Sequence, residues 1–309
     1  MITGGTGLVG KKLTAHLVSK GYKVIILSRK AGNRPNMANV GYATWDIDRQ
    51  TIDEQAIQSA DYIIHLAGAG VMDRRWTPSY KKEIVDSRVK SSRLITESLK
   101  KIPNRVKAVL SASAIGWYGL DREPARPFVE EDEPATDYLG QTCVLWEKRI
   151  SAASGEHTRV CILRTGIVLS NEGGAFTEFV KPLRYGMAAI LGNGNQIISW
   201  IHIDDLCRLF IFAMENAFMK RSYNAVTAMP VSNKQLTLTL ARKKRGGFFI
   251  PFHVPAFLLK LILGEGSIEV LKSTTVSNDK VKAAGFTFLY PSIESAIEKL
   301  FEKTTGQIL

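Results

Sequence analysis

A glycine-rich turn directly follows the first short apolar segment, and it limits the possible folds more than any other feature. The turn reads Gly4-Gly5-Thr6-Gly7-Leu8-Val9-Gly10 and runs straight into a helical pattern over 8–20. Glycines at the first, fourth and seventh positions let a backbone turn tightly, approach a pyrophosphate and pack a helix onto a strand. The N-terminus of that helix offers free N–H groups and partial positive charge to phosphate oxygens. We therefore predict a dinucleotide-binding turn formed by Gly4, Thr6, Gly7, Leu8, Val9 and Gly10.

Short β-branched and apolar runs alternate with helical patterns through the first half of the chain. Strands are predicted over 22–27, 40–45, 61–66, 106–111 and 159–164. Helices are predicted over 8–20, 80–100 and 138–153. Strands separated by helices are typical of a parallel sheet that is covered on both faces. The predicted fold class is α/β, with a Rossmann-type doubly wound parallel sheet.

The pattern changes after residue 170. Glycines punctuate a loop-rich region, followed by an apolar run over 196–201, a helix over 204–215 and a strand over 222–227. Beyond Pro230 the chain is largely helical, with breaks at Pro251 and Pro255. We predict a cofactor-binding domain over 1–228, in which 171–200 contribute to the substrate side. A small, mostly helical C-terminal lobe is predicted over 229–309, also on the substrate side.

Only Met1, Ile2 and Thr3 precede the glycines, whereas a central strand usually supplies more residues. We therefore expect that a few residues are missing from the start of the sequence. The same segment has neither a charged region nor an apolar core, so it does not resemble a signal peptide.

Charge and cysteine content restrict the partners. The 309 residues include 41 basic and 29 acidic side chains, for a net charge of +12, which could attract anions. The one tight basic cluster, at 242–245, is interpreted as a solvated helix end, since no RNA-binding motif or zinc finger accompanies it.

No stretch of about 18 uncharged apolar residues indicates a membrane span. Cys143, Cys161 and Cys207 are widely spaced in apolar runs, which favours a reducing cytoplasm over disulfides or zinc. We expect neither nucleic acid nor membrane as a partner.

The residues after the second predicted strand bear on cofactor choice. An acidic residue there usually holds the ribose 2′-hydroxyl of NAD, whereas arginine suits the 2′-phosphate of NADP. This chain has Ser28-Arg29-Lys30, with no Asp or Glu between Gly10 and Asp46. We therefore predict NADP(H) bound by Ser28 and Arg29; a solvated basic turn is the alternative.

Two further segments are expected to line the cofactor. Asp46 ends the third predicted strand, where it either accepts a hydrogen bond from the adenine amino group or caps a loop. Leu66, Ala67 and Gly68 end the fourth, where the small residues of the segment 66–70 would let a cofactor lie over the sheet edge.

These residues resemble the extended, epimerase-like branch of the short-chain dehydrogenase/reductase superfamily. More narrowly, the chain looks like nucleoside-diphosphate-sugar-epimerase-like proteins that carry a small C-terminal domain of unknown function. The resemblance covers roughly the first two thirds of the chain. Besides the glycine turn, the matching segments are 66–68, Asp73-Arg-Arg-Trp76, Asp86-Ser-Arg88, 111–113, 164–170 and 199–205. It implies a nicotinamide cofactor, a small-molecule substrate and, as is common in this branch, a homodimer.

In that superfamily a serine and a Tyr-x-x-x-Lys pair carry the chemistry. The lysine lowers the tyrosine pKa and helps to position the nicotinamide ribose, while tyrosine and serine polarise or protonate a carbonyl. Ser113 matches the serine, but none of the nine tyrosines has lysine four residues later. Counting back from Glu147 places the lysine position at Cys143 and the tyrosine position at Leu139. The catalytic site is thus altered.

Two tyrosines are candidates for the missing acid. Tyr138 is one residue out of phase, about 100° round a helix, and reaches the pocket if it lies at the helix N-terminus. Tyr118 lies near the same sheet edge, with Arg122 four residues later. For both, a packed aromatic ring is the alternative.

Other polar residues have two possible roles each. Arg164 ends the sixth predicted strand, where it would bind a ligand anion or form a structural ion pair. The Arg74, Arg75 and Trp76 side chains would clamp a substrate or anchor their own loop. Asp204 is predicted to be a helix N-cap and His202 to orient the preceding loop. No cluster has metal-ligand spacing.

Two functions of different classes remain. The first is an NADP(H)-dependent oxidoreductase or epimerase with an altered Tyr/Lys pair, acting on a small polar molecule. The second is a non-catalytic NADP(H)-binding protein that senses the ratio of the two cofactor forms. The retained Ser113 favours the first, and the missing Tyr/Lys pair favours the second.

Overall fold

The computed structural model describes residues 1–29, 37–123 and 126–302. Over these residues the chain alternates strands and helices, beginning with a strand at Ile2. The strands are β1 (Ile2–Thr3), β2 (Val24–Ser28), β3 (Val40–Asp46), β4 (Thr51–Ile52), β5 (Tyr62–His65), β6 (Ala108–Ala114), β7 (Arg159–Thr165), β8 (Ile167–Leu169), β9 (Met187–Leu191), β10 (Ile197–Ile198), β11 (Trp200–His202), β12 (Arg221–Ala225), β13 (Val231–Ser232) and β14 (Ile250–Val254).

The helices lie between these strands and in the C-terminal part. They are α1 (Leu8–Ser19), α2 (Glu54–Ser59), α3 (Pro78–Lys101), α4 (Tyr138–Ser151), α5 (Ala175–Leu183), α6 (Ile203–Glu215), α7 (Asn233–Arg245), α8 (Ala256–Leu263), α9 (Ser267–Leu271), α10 (Asp279–Ala283) and α11 (Ile293–Phe301). Side-chain caps begin several of them. Thr77 accepts from the backbone N–H of Tyr80 and Asp137 from that of Gly140, so α3 and α4 begin where their first N–H groups find partners. None of the described helices combines the length and apolar character needed to cross a membrane.

The central sheet has eight strands in the order β12-β7-β6-β5-β1-β2-β3-β4. All neighbours pair in parallel except β3 and β4, which are antiparallel. The strand order reverses between β1 and β5, which is where an open α/β sheet forms a ligand crevice. The predicted Rossmann-type doubly wound sheet is confirmed. Strand β4 was not predicted, because its two residues are too few to show a period.

Each face of the sheet has its own apolar core. On one face, α1 and α6 contribute Leu13, Leu17, Leu206 and Phe210, all buried against the sheet. On the other face, α2, α3 and α4 contribute a second set of buried residues, Ile57, Ile95 and Ile150. The central strands are largely apolar because both faces of the sheet are covered.

A third core joins the loop-rich region to the C-terminal part. Phe176 and Trp200 pack with Leu236, Leu240 and Ile297. The C-terminal part is mostly helical, but the prediction omitted two strands there. Strand β13 pairs with β10, and β14 pairs in parallel with β9. Pro251 lies inside β14, in a two-stranded sheet in which both strands are edges, and an edge strand tolerates proline.

Candidate cofactor-binding and active site

The glycine turn forms a cradle at the N-terminus of α1. Gly7 is the N-cap and donates its N–H to the Gly4 carbonyl oxygen at 3.0 Å, and no side chain caps the helix. Gly4 has a φ of +67°, and a Cβ there would lie 2.8 Å from the Leu66 carbonyl carbon. A Cβ at Gly10 would lie 2.2 Å from the Gly4 oxygen. Because the first turn of α1 carries no acidic residue, its N–H groups and its geometry fit a phosphate group.

A buried histidine ties this turn to the end of β5. His65 Nδ1 lies 2.7 Å from Thr3 Oγ1, which also accepts from the backbone N–H groups of Leu66 and Ala67. Burial, together with the charge of the nearby Arg88, lowers the pKa of His65 to about 3, so the ring is neutral at pH 7. This role of His65 was not predicted from the sequence. Its signal was a lone titratable residue at the end of an apolar strand.

Ser28 and Arg29 lie at the carboxyl end of β2. Ser28 is buried and Arg29 is exposed, while Lys30 lies outside the described residues. Asp46, at the end of β3, accepts from the backbone N–H groups of Asp48 and Arg49, and these bonds lower its pKa. Asp46 therefore caps its loop, as the alternative for it proposed. The adenine contact remains a prediction.

Ser113 belongs to a buried polar cluster at the carboxyl end of β6. Its hydroxyl donates to Glu147 Oε1 at 2.7 Å. Arg164 donates to the same carboxylate from Nε at 2.9 Å and from Nη2 at 3.0 Å, and its Nη1 donates to the Glu130 carbonyl oxygen. The Arg164 side chain is only 3% exposed. Of its two predicted roles, the structure shows the ion pair and not a side chain open to a cofactor or substrate.

Tyr118 lies in the same cluster and not at an open edge. Its hydroxyl donates to Asn224 Oδ1 at 2.6 Å and accepts from Arg164 Nη1 at 3.0 Å. The ring stacks on Phe128 with centroids 5.0 Å apart and is 1% exposed. Burial raises the pKa of Tyr118 to about 12. The proton-donor prediction for Tyr118 does not fit this environment; the packed-aromatic alternative does.

Tyr138 is the first residue of α4, at the helix N-terminus that a catalytic role requires. Its hydroxyl donates to the Lys81 carbonyl oxygen at 2.7 Å, and its ring lies edge-on to Trp76 at 5.1 Å. Partial burial raises its pKa. At the expected tyrosine and lysine positions, Leu139 and Cys143 are buried. Burial raises the pKa of Cys143 to about 12, so the thiol offers no charge.

The loop after β5 meets the C-terminal part. Trp76 is buried and donates its indole N–H to the Val71 carbonyl oxygen at 2.8 Å, while Arg74 pairs with Glu83 at 3.5 Å. Lys81, at the start of α3, forms an ion pair with Glu265. These contacts support the loop-anchoring role of Arg74 and Trp76.

The N-cap prediction for Asp204 is wrong. His202 caps α6, since its Nδ1 accepts from the backbone N–H of Asp204 at 3.1 Å. Asp204 lies in the first turn, where it pairs with Lys12 and His16 of α1 at 3.2 and 3.4 Å. Burial acts to raise its pKa, but these partners prevail and hold it at about 2. These two contacts of Asp204 join α6 to α1, the helix that follows the glycine turn.

Comparison with known proteins agrees with this geometry. The NAD dependent epimerase/dehydratase family matches residues 1–226, and a domain of unknown function (DUF1731) matches residues 254–300. The epimerase family protein YfhF of Bacillus subtilis (strain 168) is 33% identical over 300 residues, covering 97% of this chain and 96% of the relative. The chain therefore belongs to the NAD dependent epimerase/dehydratase family, and the resemblance noted from the sequence is confirmed.

Solved structures show the same architecture. The human epimerase family protein SDR39U1 (isoform 2), crystallised with NADPH, has a TM-score of 0.85 at 25% identity, with 97% of each chain covered. A nucleoside-diphosphate sugar epimerase from Corynebacterium glutamicum has a TM-score of 0.75 at 31% identity. The matched region spans 96% of this chain and 56% of that longer protein. The C-terminal part is therefore shared with relatives as well as the sheet.

Proposed function

We propose that this protein is an NADP(H)-dependent oxidoreductase or epimerase that acts on a small polar molecule. The observation that carries the proposal is the glycine cradle at the N-terminus of α1, at the point where the strand order reverses. The NADPH bound to the human relative supports it. Membership of a family of NAD dependent epimerases and dehydratases supports the reaction class.

The adenosine and nicotinamide halves of the cofactor would lie on opposite sides of the glycine cradle. The pyrophosphate would lie on the N–H groups of α1, the 2′-phosphate near Ser28 and Arg29, and the adenine near Asp46. The nicotinamide half would lie over β5 and β6, near Leu66, Ala67, Gly68 and Ser113. When bound, NADPH supplies a hydride there. The substrate would lie between this edge and the C-terminal part.

Cofactor preference tests the proposal. NADPH is expected to bind more tightly than NADH by roughly 10- to 100-fold, because charge-assisted hydrogen bonds contribute about 1.5–3 kcal/mol. Arg29→Asp should reverse the preference, since a carboxylate repels the 2′-phosphate and accepts from the 2′-hydroxyl. Nicotinamide fluorescence titrations of both cofactors measure this effect.

Lys23→Asp is the matched control. It makes the same change of charge on an exposed residue just before the opposite end of β2, and it should leave the preference unchanged. Equal affinities for both cofactors, in wild type and Arg29→Asp alike, would show that Arg29 does not bind the 2′-phosphate.

A second candidate function rests on the occupied hydrogen bonds of the predicted catalytic residues. Ser113 donates to Glu147, Tyr138 donates to a backbone carbonyl, and Leu139 and Cys143 are apolar or neutral. A site without a proton relay suits a protein that binds NADP(H) and senses its redox ratio without turnover.

Turnover separates the two candidates. With saturating NADPH, we expect slow reduction of generic aldehydes, ketones and nucleotide-sugars, because general acid catalysis usually supplies about 10²–10⁴-fold and no cation lies in the lysine position. Ser113→Ala and Tyr138→Phe should lower the residual rate and leave NADPH affinity near wild type. NADPH oxidation across a carbonyl panel measures both.

Tyr62→Phe, at the amino end of β5, controls for loss of a tyrosine hydroxyl and should not change the rate. Ordinary dehydrogenase rates that survive Ser113→Ala and Tyr138→Phe would place the active site elsewhere. Tight NADPH binding with no turnover of any carbonyl would favour the sensor.

A further inference from the structure

Arg88 on α3 reaches the loop that follows β5. Its Nη1 donates to the carbonyl oxygens of Ala69 and Ile84, both at 3.0 Å. The guanidinium carbon lies 5.1 Å from the Trp146 ring centroid on α4. It also lies against Gly68, where a Cβ would be 3.2 Å from it. The guanidinium is therefore fixed in orientation between α4 and the end of β5.

The charge of Arg88 lacks a partner of opposite sign among the residues that the structure describes. No carboxylate there forms an ion pair with it, and its Nε and Nη2 make no hydrogen bond to those residues. This contrasts with Arg164, whose Nε and Nη2 both donate to Glu147. A half-buried cation is costly unless oxygen atoms satisfy it. The N–H groups that remain on Arg88 are thus available to a ligand.

The sheet topology indicates which ligand group comes near. In a doubly wound sheet a dinucleotide lies across the reversal of strand order, with one half on each side. The adenosine half belongs with β2 and β3, so the nicotinamide half belongs with β5 and β6. Arg88 lies at the end of β5, on the nicotinamide side.

The same guanidinium lies near the position where the lysine is missing. Burial raises the pKa of Cys143, and the charge on Arg88 acts in the opposite direction, as it also does on Tyr138. A cation from α3 therefore acts on the two α4 residues at or next to the expected pair. Cys143 itself contributes no charge.

We propose that Arg88 replaces the missing lysine by donating hydrogen bonds to the nicotinamide ribose hydroxyls of NADP(H). The inference rests on the proposed function, since it requires that the dinucleotide binds at the glycine cradle. Arg88 would hold the ribose from α3, whereas the superfamily lysine does so from the helix that corresponds to α4.

Two ligands separate this contact from a general loss of binding. NADPH contains the nicotinamide ribose, whereas adenosine 2′,5′-bisphosphate contains only the adenosine half with its 2′-phosphate. Arg88→Met and Arg88→Gln should weaken NADPH binding by roughly 10- to 100-fold. Both should leave the affinity for adenosine 2′,5′-bisphosphate within about twofold of wild type, because that ligand does not reach β5. Calorimetric titration measures both affinities.

Two further variants test the charge and the position. Arg88→Lys keeps a cationic donor and should lose less NADPH affinity than Arg88→Gln. Arg93→Met removes an exposed arginine from the same helix and should change neither affinity. Arg88→Gln also keeps an N–H donor for the Ala69 and Ile84 carbonyls. It therefore still tests the proposed contact if Arg88→Met does not fold.

The outcomes are distinct. Unchanged NADPH binding in Arg88→Gln would overturn the inference, and so would an equal loss for both ligands, which indicates a structural role. If the wild type binds adenosine 2′,5′-bisphosphate and NADPH, the proposed cofactor site stands whatever Arg88 does. If the wild type binds neither ligand, the proposed function fails, and the inference with it.

Discussion

Replacement of Arg164 by methionine is expected to lower the free energy of unfolding by about 3–5 kcal/mol, because it leaves a buried carboxylate without its cation. Glu147 and Arg164 are 8% and 3% exposed in their side chains and are joined by two hydrogen bonds. Arg164 also donates to Tyr118 and to the Glu130 carbonyl oxygen. Urea unfolding followed by circular dichroism measures the loss.

A double variant and the loss of an exposed ion pair serve as controls for Arg164→Met. Arg164→Met with Glu147→Leu removes both charges and should recover much of the loss, since an apolar pair of similar volume often matches a buried ion pair. Lys20→Met breaks the exposed Lys20–Glu215 pair and should cost no more than about 1 kcal/mol. If Arg164→Met cost as little as Lys20→Met, the cluster would not hold β6 and β7 to α4.

Gly10→Ala is expected to distort the glycine cradle and weaken NADPH binding. The added Cβ would lie 2.2 Å from the Gly4 carbonyl oxygen and 2.6 Å from the Gly5 Cα, so the backbone itself must move. Overpacking of this kind costs about 1–3 kcal/mol. If binding must restore the turn, affinity for NADPH falls by roughly 5- to 150-fold. Fluorescence titration and a thermal melt measure the two effects.

Gly155→Ala is the control, because a Cβ at Gly155 meets nothing within 4 Å. It should change neither NADPH affinity nor melting temperature appreciably. Gly10→Ala with wild-type affinity would show that the turn does not hold the cofactor, whatever the effect on stability.

The features that the sequence predicted well are local. Short apolar runs identified most of the parallel strands of the central sheet, because helices cover both faces of the sheet and most strand residues are buried. The glycine turn was recognisable because three glycines at fixed spacing serve one backbone geometry, which the φ of Gly4 now shows directly. Predicted element ends differ from the observed ones by up to three residues, because helix caps and strand ends depend on neighbouring segments.

The roles of the polar residues were not local. Arg164 meets Glu147 across 17 positions, and Tyr118 meets Asn224 across 106. A sequence cannot say whether an arginine at a sheet edge will face a carboxylate on a neighbouring helix or a ligand. That choice depends on which side chains packing brings within hydrogen-bonding distance and which it removes from water.

Thus the sequence alone determined a doubly wound sheet with a phosphate-binding turn, because periodicity and glycine geometry act over a few residues. Only the tertiary structure decided which charges are already neutralised. It gave Arg164 the buried carboxylate of Glu147, whereas among the described residues Arg88 donates only to backbone carbonyl oxygens. The physical reason is that burial makes an unpaired charge costly, so pairing is settled by the packing of distant segments.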